Sequence, residues 1–360
     1  VINNIKDYVI FKPKTKEELK TAVNLWCKSK DEAITKYGYI SNWNTSLIKD
    51  MSQLFQNKKK FNDNINLWNV SSVTNMCCMF AQVDEFNQDI SQWNVSNVIN
   101  MENMFCEASS FNQDISQWNV SNVIDMSYMF SRCYNFNQPL DKWDVSNVED
   151  MVMMFYKCKN FNQPINTNRQ NTGQANEYIA WNVSNVEDMD GMFDGCKEFN
   201  QPLNNWDVSN VSCMEEMFGS CKEFNQPLNN WDVSNVESMN CMFSGCNNFN
   251  QPLNNWDVSN VTNMGHMFAD CKKFNEPLND WDVSNVKRMH YMFCLCHNFN
   301  QPLNNWDVSN VTNMDSMFSG AKVFNQDLNN WDVNLDDIWN IFLDCENFNY
   351  KENAKWNNNN

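Results

Sequence analysis

Six carboxylates recur at one place in this chain. Asp207, Asp232, Asp257, Asp282, Asp307 and Asp332 each stand between a tryptophan and a valine, twenty-five residues apart. Nearer the N-terminus the same place holds Asn69, Asn94 and Asn119, then Asp144 and Asn182. Like charges about 5 Å apart repel by somewhat under ~1 kcal/mol in water, and by several times that where solvent is restricted. A row of six therefore opposes any stacking that brings its members together. Two chemistries would account for it. Each Asp can accept hydrogen bonds from local turn N–H groups, as Asn does. Alternatively the row is an acidic stripe for a cation or a basic partner, with flanking Asn and Ser side chains completing a polar face suited to sugars or peptide.

The other reactive residue types give less. Three histidines, His266, His290 and His297, fall in two neighbouring repeats. Cys294-Leu295-Cys296-His297 has the residue types of a metal site, but Cys296 belongs to a row expected to face inward, so ligation would draw on both faces at once. No glycine-rich phosphate loop is present, and no nucleophile and base stand apart from the repeat. The expectation is a non-enzymatic protein without cofactor or metal. Of the fifteen cysteines, Cys133, Cys158, Cys196, Cys221, Cys246, Cys271 and Cys296 share one place that Val83, Ala108 and Ala321 fill in other copies, the pattern of a small buried hydrophobe. An odd total disfavours a fully paired disulfide framework, so mostly reduced thiols are expected. Rungs roughly 5 Å apart come near the Cα separation a disulfide needs, which leaves oxidation open. Asn-Val-Ser sequons such as Asn69-Val70-Ser71 fall out of the repeat itself and matter only in a secretory pathway.

These residues are positioned by a repeat. Tryptophans recur every twenty-five residues from Trp43 to Trp143 and again from Trp181 to Trp356. A fixed period in this range marks a stacked architecture in which no unit buries its apolar face alone. About twelve coils result. In the copy opened by Trp206 the apolar positions are Trp206, Val208, Val211, Met214, Met217, Phe218, Cys221, Phe224 and Leu228. Trp206-Asp207-Val208 alternates as a very short half-buried strand does. Met214, Met217, Phe218 and Cys221 lie at i, i+3, i+4 and i+7, the spacing of one helical face. Pro227 ends any helical continuation. Each coil therefore reads as strand, turn, short helix and return loop. The expected fold is an α/β solenoid with a parallel sheet on one face and short helices on the other. Rows of Asn, among them Asn200, Asn225 and Asn250, and Asn210, Asn235 and Asn260, read as structural, because enclosed turns must satisfy their backbone groups.

The pattern F-N-Q-[PD]-[LI]-x-x-W-[ND]-V-S-N-V-x-x-M-x-x-M-F-x-x-C resembles the BspA-type leucine-rich-repeat surface proteins, also described from mycoplasma lipoproteins, over Asn42 to Trp356. Leu228-Asn229-Asn230-Trp231-Asp232-Val233 fits their L-x-x-L-x-L core, with Trp and Val in two leucine places. The resemblance implies that the residue between Trp and Val points outward. It also implies a surface or adhesive module of unassigned ligand.

Residues 1–41 differ in composition and read as a helical N-terminal cap, with Thr15 and Glu18 forming a capping box and a second helical stretch around Asp31 to Tyr37 stopping at Gly38. The solenoid occupies 42–355. About thirteen extra polar residues within 166–180 are expected to bulge as a mobile loop. The last coil decays at Asn334-Leu335 in the manner of a C-terminal cap, and 356–360 should fray. A net charge of −18 argues against a nucleic-acid partner, which needs a basic stripe. No stretch is apolar for long enough to span a membrane. The start lacks a signal peptide's apolar core, and a leader removed before Val1 would leave no trace. The expected function is recognition or adhesion through the strand face, with a protein or glycan ligand on a cell or particle surface and the acidic row as the partner-binding residues. The other reading is a structural coat or virion-associated protein, self-associating by lateral packing. Placement at a cell surface, outside the cell or on a virion follows from either reading, and a cytoplasmic place stays open.

Overall fold

A computed structural model describes residues 10–333 and 338–356. The repeats stack as a solenoid around one continuous apolar core that takes in every tryptophan from Trp43 to Trp331 and the Val, Met and Phe rows between them. Within a coil Phe218 and Phe224 stack at 4.2 Å, and each phenyl meets its equivalent in the next coil, as Phe218 meets Phe243 at 5.7 Å. The indoles form a parallel column, with Trp206 and Trp231 centred 6.5 Å apart.

The coil opened by Trp231 shows how the backbone runs. Around the tryptophan there are turns, closed by Trp231 N–H to Leu228 O and Val236 N–H to Val233 O. From the first methionine onward every second N–H leaves the coil. Met239, Cys241, Phe243 and Gly245 donate to the carbonyls of Asn263, Gly265, Met267 and Ala269 at 2.7–3.0 Å. The N–H groups between them close turns on their own coil, Met242 to Met239, Ser244 to Cys241 and Cys246 to Phe243. Two residues of this stretch, Cys241 and Gly245, carry positive φ of 56° and 75°. The result is a ribbon of consecutive turns, laddered to its neighbours, with isolated parallel bridges one residue before the first methionine from Asp50–Asn75 to Arg288–Asn313.

This corrects the expected layers. Among the described residues of the repeats, Trp-Asp-Val forms no strand and Met to Cys forms no helix. The i, i+3, i+4, i+7 spacing was right about which side chains face inward, because paired turns sort them as a helix would. Pitch decides between the two. Helices pack 8–10 Å apart and hydrogen-bonded extended chains about 4.8 Å, so a coil using both must curve. The ribbon keeps a pitch nearer to the strand value, with the phenyl and indole columns spaced 5.7 and 6.5 Å.

Buried polar groups are satisfied from coil to coil. Trp231 donates its indole N–H to Leu203 O of the preceding coil at 3.0 Å. Asn200 Oδ1 accepts from Asn225 N–H and Gln226 Nε2, and Asn235 Nδ2 donates to Ser209 O. The inward cysteine row is more than packing, since Cys221 Sγ donates to Phe193 O at 3.0 Å and the rest of the row repeats the contact. All fifteen cysteines are free.

At the N-terminal end α1 (Lys16–Lys28) and α2 (Lys30–Tyr37) lie over the first coil. Thr15 Oγ1 accepts from Glu18 N–H, while the Glu18 carboxylate takes the N–H of Lys14. Gly38, with φ 74°, ends α2. The insertion bulges as a short hairpin. Its strands β1 (Asn168–Gln170) and β2 (Tyr178–Ala180) pair antiparallel, Arg169 meets Glu177 at 3.0 Å, and Tyr178 Oη–H donates to Lys142 O. At the other end lies the single turn α3 (Tyr350–Asn353). Trp356, expected in a frayed tail, is packed against the core with its indole donating to Leu328 O at 2.7 Å, so the indole ladder runs through it. The decay expected at Asn334-Leu335 lies outside the described residues.

Candidate functional site

Side chains outside the apolar core divide into two arcs, one largely exposed and one largely half-buried. On the turn arc the same types recur in nearly every copy, Asp or Asn after Trp, then Ser-Asn, then Asn-Gln after the second Phe. On the ribbon arc they change from copy to copy. The places one, two, five and six residues beyond the first methionine hold Ser127, Tyr128, Ser131 and Arg132 in one coil, the two serines buried and Tyr128 and Arg132 half-buried. The next coils hold Val152, Met153, Tyr156 and Lys157, then Asp190, Gly191, Asp194 and Gly195, then Glu215, Glu216, Gly219 and Ser220.

The six expected site residues lie on the unvarying arc, and each described turn gives its Asp a local task. Oδ1 of Asp207, Asp232, Asp257, Asp282 and Asp307 accepts the N–H of the serine two residues on, at 3.1–3.2 Å. In Asp207, Asp232 and Asp307 it also accepts the serine Oγ–H, at 2.6–2.7 Å. Asn69, Asn94, Asn119 and Asn182 make the same backbone bond. The serine hydroxyl and N–H hold the Asp232 and Asp307 carboxyls below the usual range. The turn that follows Asp332 runs into residues outside the described ones. Asp282 and Asp307 border a shallow cleft with Asn279 and Asn305.

The ribbon arc carries the concentrated chemistry. Lys157 Nζ lies 4.5 Å from the Tyr156 ring centroid, Arg132 is 5.7 Å from the same ring and pairs with Glu107 at 2.8 Å, and Lys159 sits over Tyr134. The next two coils are acidic. Burial, then the charges of Asp188, Glu215, Glu216 and Asp194, push the Asp190 carboxyl up to about 6. Burial and Glu216, opposed by Lys157, do the same for Asp194. Further along, His266 stacks on Tyr291 at 4.7 Å and meets His290 edge-on at 5.1 Å. Burial pushes both imidazoles down, aided by His290 for His266 and by Arg288 for His290. Gly265 makes room for the His290 ring, whose Cε1 would lie 2.3 Å from a Cβ there. Cys296 points inward and donates to Phe268 O, whereas Cys294 lies on the outward face. Among the described residues no three His, Cys, Asp or Glu side chains converge as metal ligands.

Sequence reasoning went to the regular carboxylate row and passed over the ribbon. The signal for the ribbon was available, since the places that differ between copies are readable without coordinates. A helix would have set these places on one side as well, opposite the methionines.

No curated protein matches the chain. Among solved structures a likeness is found to a chain titled "Crystal structure of TLR13-ssRNA13 complex", at 9% identity and a TM-score of 0.26, over 90% of this chain and 54% of that one. The present chain thus spans about half the length of that protein, and a likeness this weak carries no argument. Residues 27–127, 92–179, 168–281 and 262–360 match the family described as "Mycoplasma protein of unknown function, DUF285". These overlapping matches run through the whole stack of twenty-five-residue coils, and the chain belongs to that family.

Proposed function

We propose that this is a non-enzymatic recognition protein that presents the ribbon arc to a macromolecular partner at a cell or particle surface. One observation carries the reading. Twenty-five-residue copies that keep nearly every core and turn residue change type at the outward ribbon places, where tyrosine, arginine, histidine, carboxylates and glycine alternate. The ladder bonds there are made by backbone; steric fit between coils accounts for the glycines, as Gly265 does for the His290 ring, and leaves the tyrosines, arginine and carboxylates without a stacking role. Tyr and Arg are also the side chains that dominate binding energy in protein interfaces. The resemblance to BspA-type surface proteins supports the same class of function.

The test compares two triple variants in capture from cell-surface extracts and on glycan arrays. Tyr128→Ala, Tyr156→Ala and Lys157→Ala should abolish capture, and Asp232→Asn, Asp257→Asn and Asp282→Asn should leave it intact. Loss of capture in the Asp variant alone would move the site back to the carboxylate row. Sedimentation of the unmodified chain separates recognition from a coat. A monodisperse monomer belongs to the first and ordered self-association to the second.

A further inference from the structure

The charge of this chain is divided along its length. Residues 1–60 carry twelve lysines and six carboxylates, so the net −18 splits into +6 there and −24 over the rest. Five of those lysines, Lys28, Lys30, Lys58, Lys59 and Lys60, line one cleft of about 530 Å³ between the end of α1 and the first coil, against a single lining carboxylate, Asp63. Asp63 is already engaged, taking the Trp26 indole N–H at 2.9 Å and Lys30 Nζ at 2.7 Å. Lys59 reaches toward Asp84 at 3.8 Å, and no ion pair is formed by Lys28, Lys58 or Lys60 among the described residues.

Lys58 has the least expected place. It occupies the position that holds a fully buried Val83, Ala108 or Cys133 in the following coils, and it makes the same two turn bonds, Lys58 N–H to Phe55 O and Phe61 N–H to Lys58 O. The fold therefore accepts an apolar residue there, yet carries a half-buried cation beside Cys27. Desolvating an ammonium is unfavourable unless an anion answers it, and four more lysines around it add like-charge repulsion.

We infer that this cleft is a binding site for a compact ligand bearing two or more phosphate groups. Lysines act as point charges toward phosphate, and several converging on a concave site raise the local concentration of anions. The ligand, or the headgroup that carries the phosphates, is compact because an extended polyanion leaving the cleft would run along a solenoid of net −24. The site is separate from the ribbon arc and stands or falls independently of it.

The experiment measures binding of inorganic tripolyphosphate by calorimetry at about 50 mM and about 300 mM salt, and flotation with vesicles of phosphatidylcholine containing a bisphosphorylated inositol lipid. Tripolyphosphate binding identifies a soluble ligand. Vesicle binding alone identifies a lipid headgroup. In whichever arm binds, the variant Lys58→Gln, Lys59→Gln, Lys60→Gln should weaken binding by about tenfold or more. A control removing as many charges outside the cleft, Lys12→Gln, Lys20→Gln, Lys36→Gln, should change it by less than about twofold. Lys59→Gln with Lys60→Gln, both on exposed side chains, gives a variant whose folding is not at issue. Equal losses in cleft and control variants would reduce the effect to diffuse end charge and overturn the site. So would the absence of binding in both arms at the lower salt.

Discussion

The two arcs of each coil solve the same problem with different groups. On the turn arc side chains complete the hydrogen bonding. Asn200 joins two coils through its amide, and Asp232 closes the turn in which it sits. On the ribbon arc the backbone does most of this, each coil donating every second N–H to the next, and side chains enter mainly where the ribbon begins, as Asp150 Oδ1 accepts Val152 N–H. The contrast explains where the sequence can vary. A side chain that holds a ladder rung is fixed in type, and one that only projects from a backbone ladder is not.

The sharpest way to break this contrast is to remove a rung from the unvarying side. Trp231→Ala deletes an indole that is 3% exposed, stacked between Trp206 and Trp256 and bonded to Leu203 O. It should lower stability by about 3–5 kcal/mol in urea unfolding, whereas Tyr156→Ala on the ribbon, which loses a half-buried ring and its cation contacts, should cost about 1 kcal/mol. Comparable losses at the two sites would dissolve the distinction. Next in size is Asn225→Ala, which strips the acceptor from Asn250 N–H and Gln251 Nε2. About 1–3 kcal/mol should be lost, the expected consequence of stranding a part-buried donor.

The core was legible because burial depends on which residues are apolar and how often they recur, and Trp206, Val211, Met214 and Phe218 state both. The local backbone was not, because Met214, Met217, Phe218 and Cys221 present the same inward face from a helix or from paired turns. Positive φ at Glu216 and Ser220 separates the two, yet neither residue type announces it. Only the copies with Gly191, Gly195, Gly245 and Gly320 at the equivalent places carried that hint. The basic cleft was missed for another reason, since a net charge of −18 averages over both ends of the chain.

On the ribbon arc the acidic coils should show a pH signature that the turn arc lacks. A carboxyl whose folded pKa is raised opposes folding fully above that pKa, and the penalty fades as pH falls toward the unfolded value. Asp190 and Asp194, raised from 3.8 to about 6, should therefore destabilise the chain at pH 7 and progressively less down to about pH 4. Asp190→Asn with Asp194→Asn should raise stability at pH 7 by about 1 kcal/mol per site, allowing for solvent screening, and the gain should vanish by pH 4. A gain independent of pH would mean that the carboxylates do not repel. Gly245→Ala tests the turn geometry itself. An added Cβ there meets Ser220 Cα at an ordinary 3.4 Å, so the effect isolates the φ of 75°, and a loss of about 1 kcal/mol is expected.

The smallest change separates the two chemistries of the acidic row. Asp232→Asn keeps an oxygen able to accept Ser234 N–H, as Asn69 does for Ser71, so stability at pH 7 should move by no more than about 0.5 kcal/mol. The wild-type carboxyl is held low by Ser234. What it contributes is present above the unfolded pKa near 3.8 and lost as pH falls through the folded value, whereas the amide does not titrate. The two proteins should thus coincide from pH 7 to 5 and diverge only in acid, with the variant the more persistent. If Asp232→Asn instead stabilises the chain clearly at pH 7 and the gain shrinks with added salt, repulsion along the row outweighs its turn bonds. A folding penalty of that kind, carried by six consecutive copies, would call for a cationic partner on the turn arc as well as the ligand proposed for the ribbon.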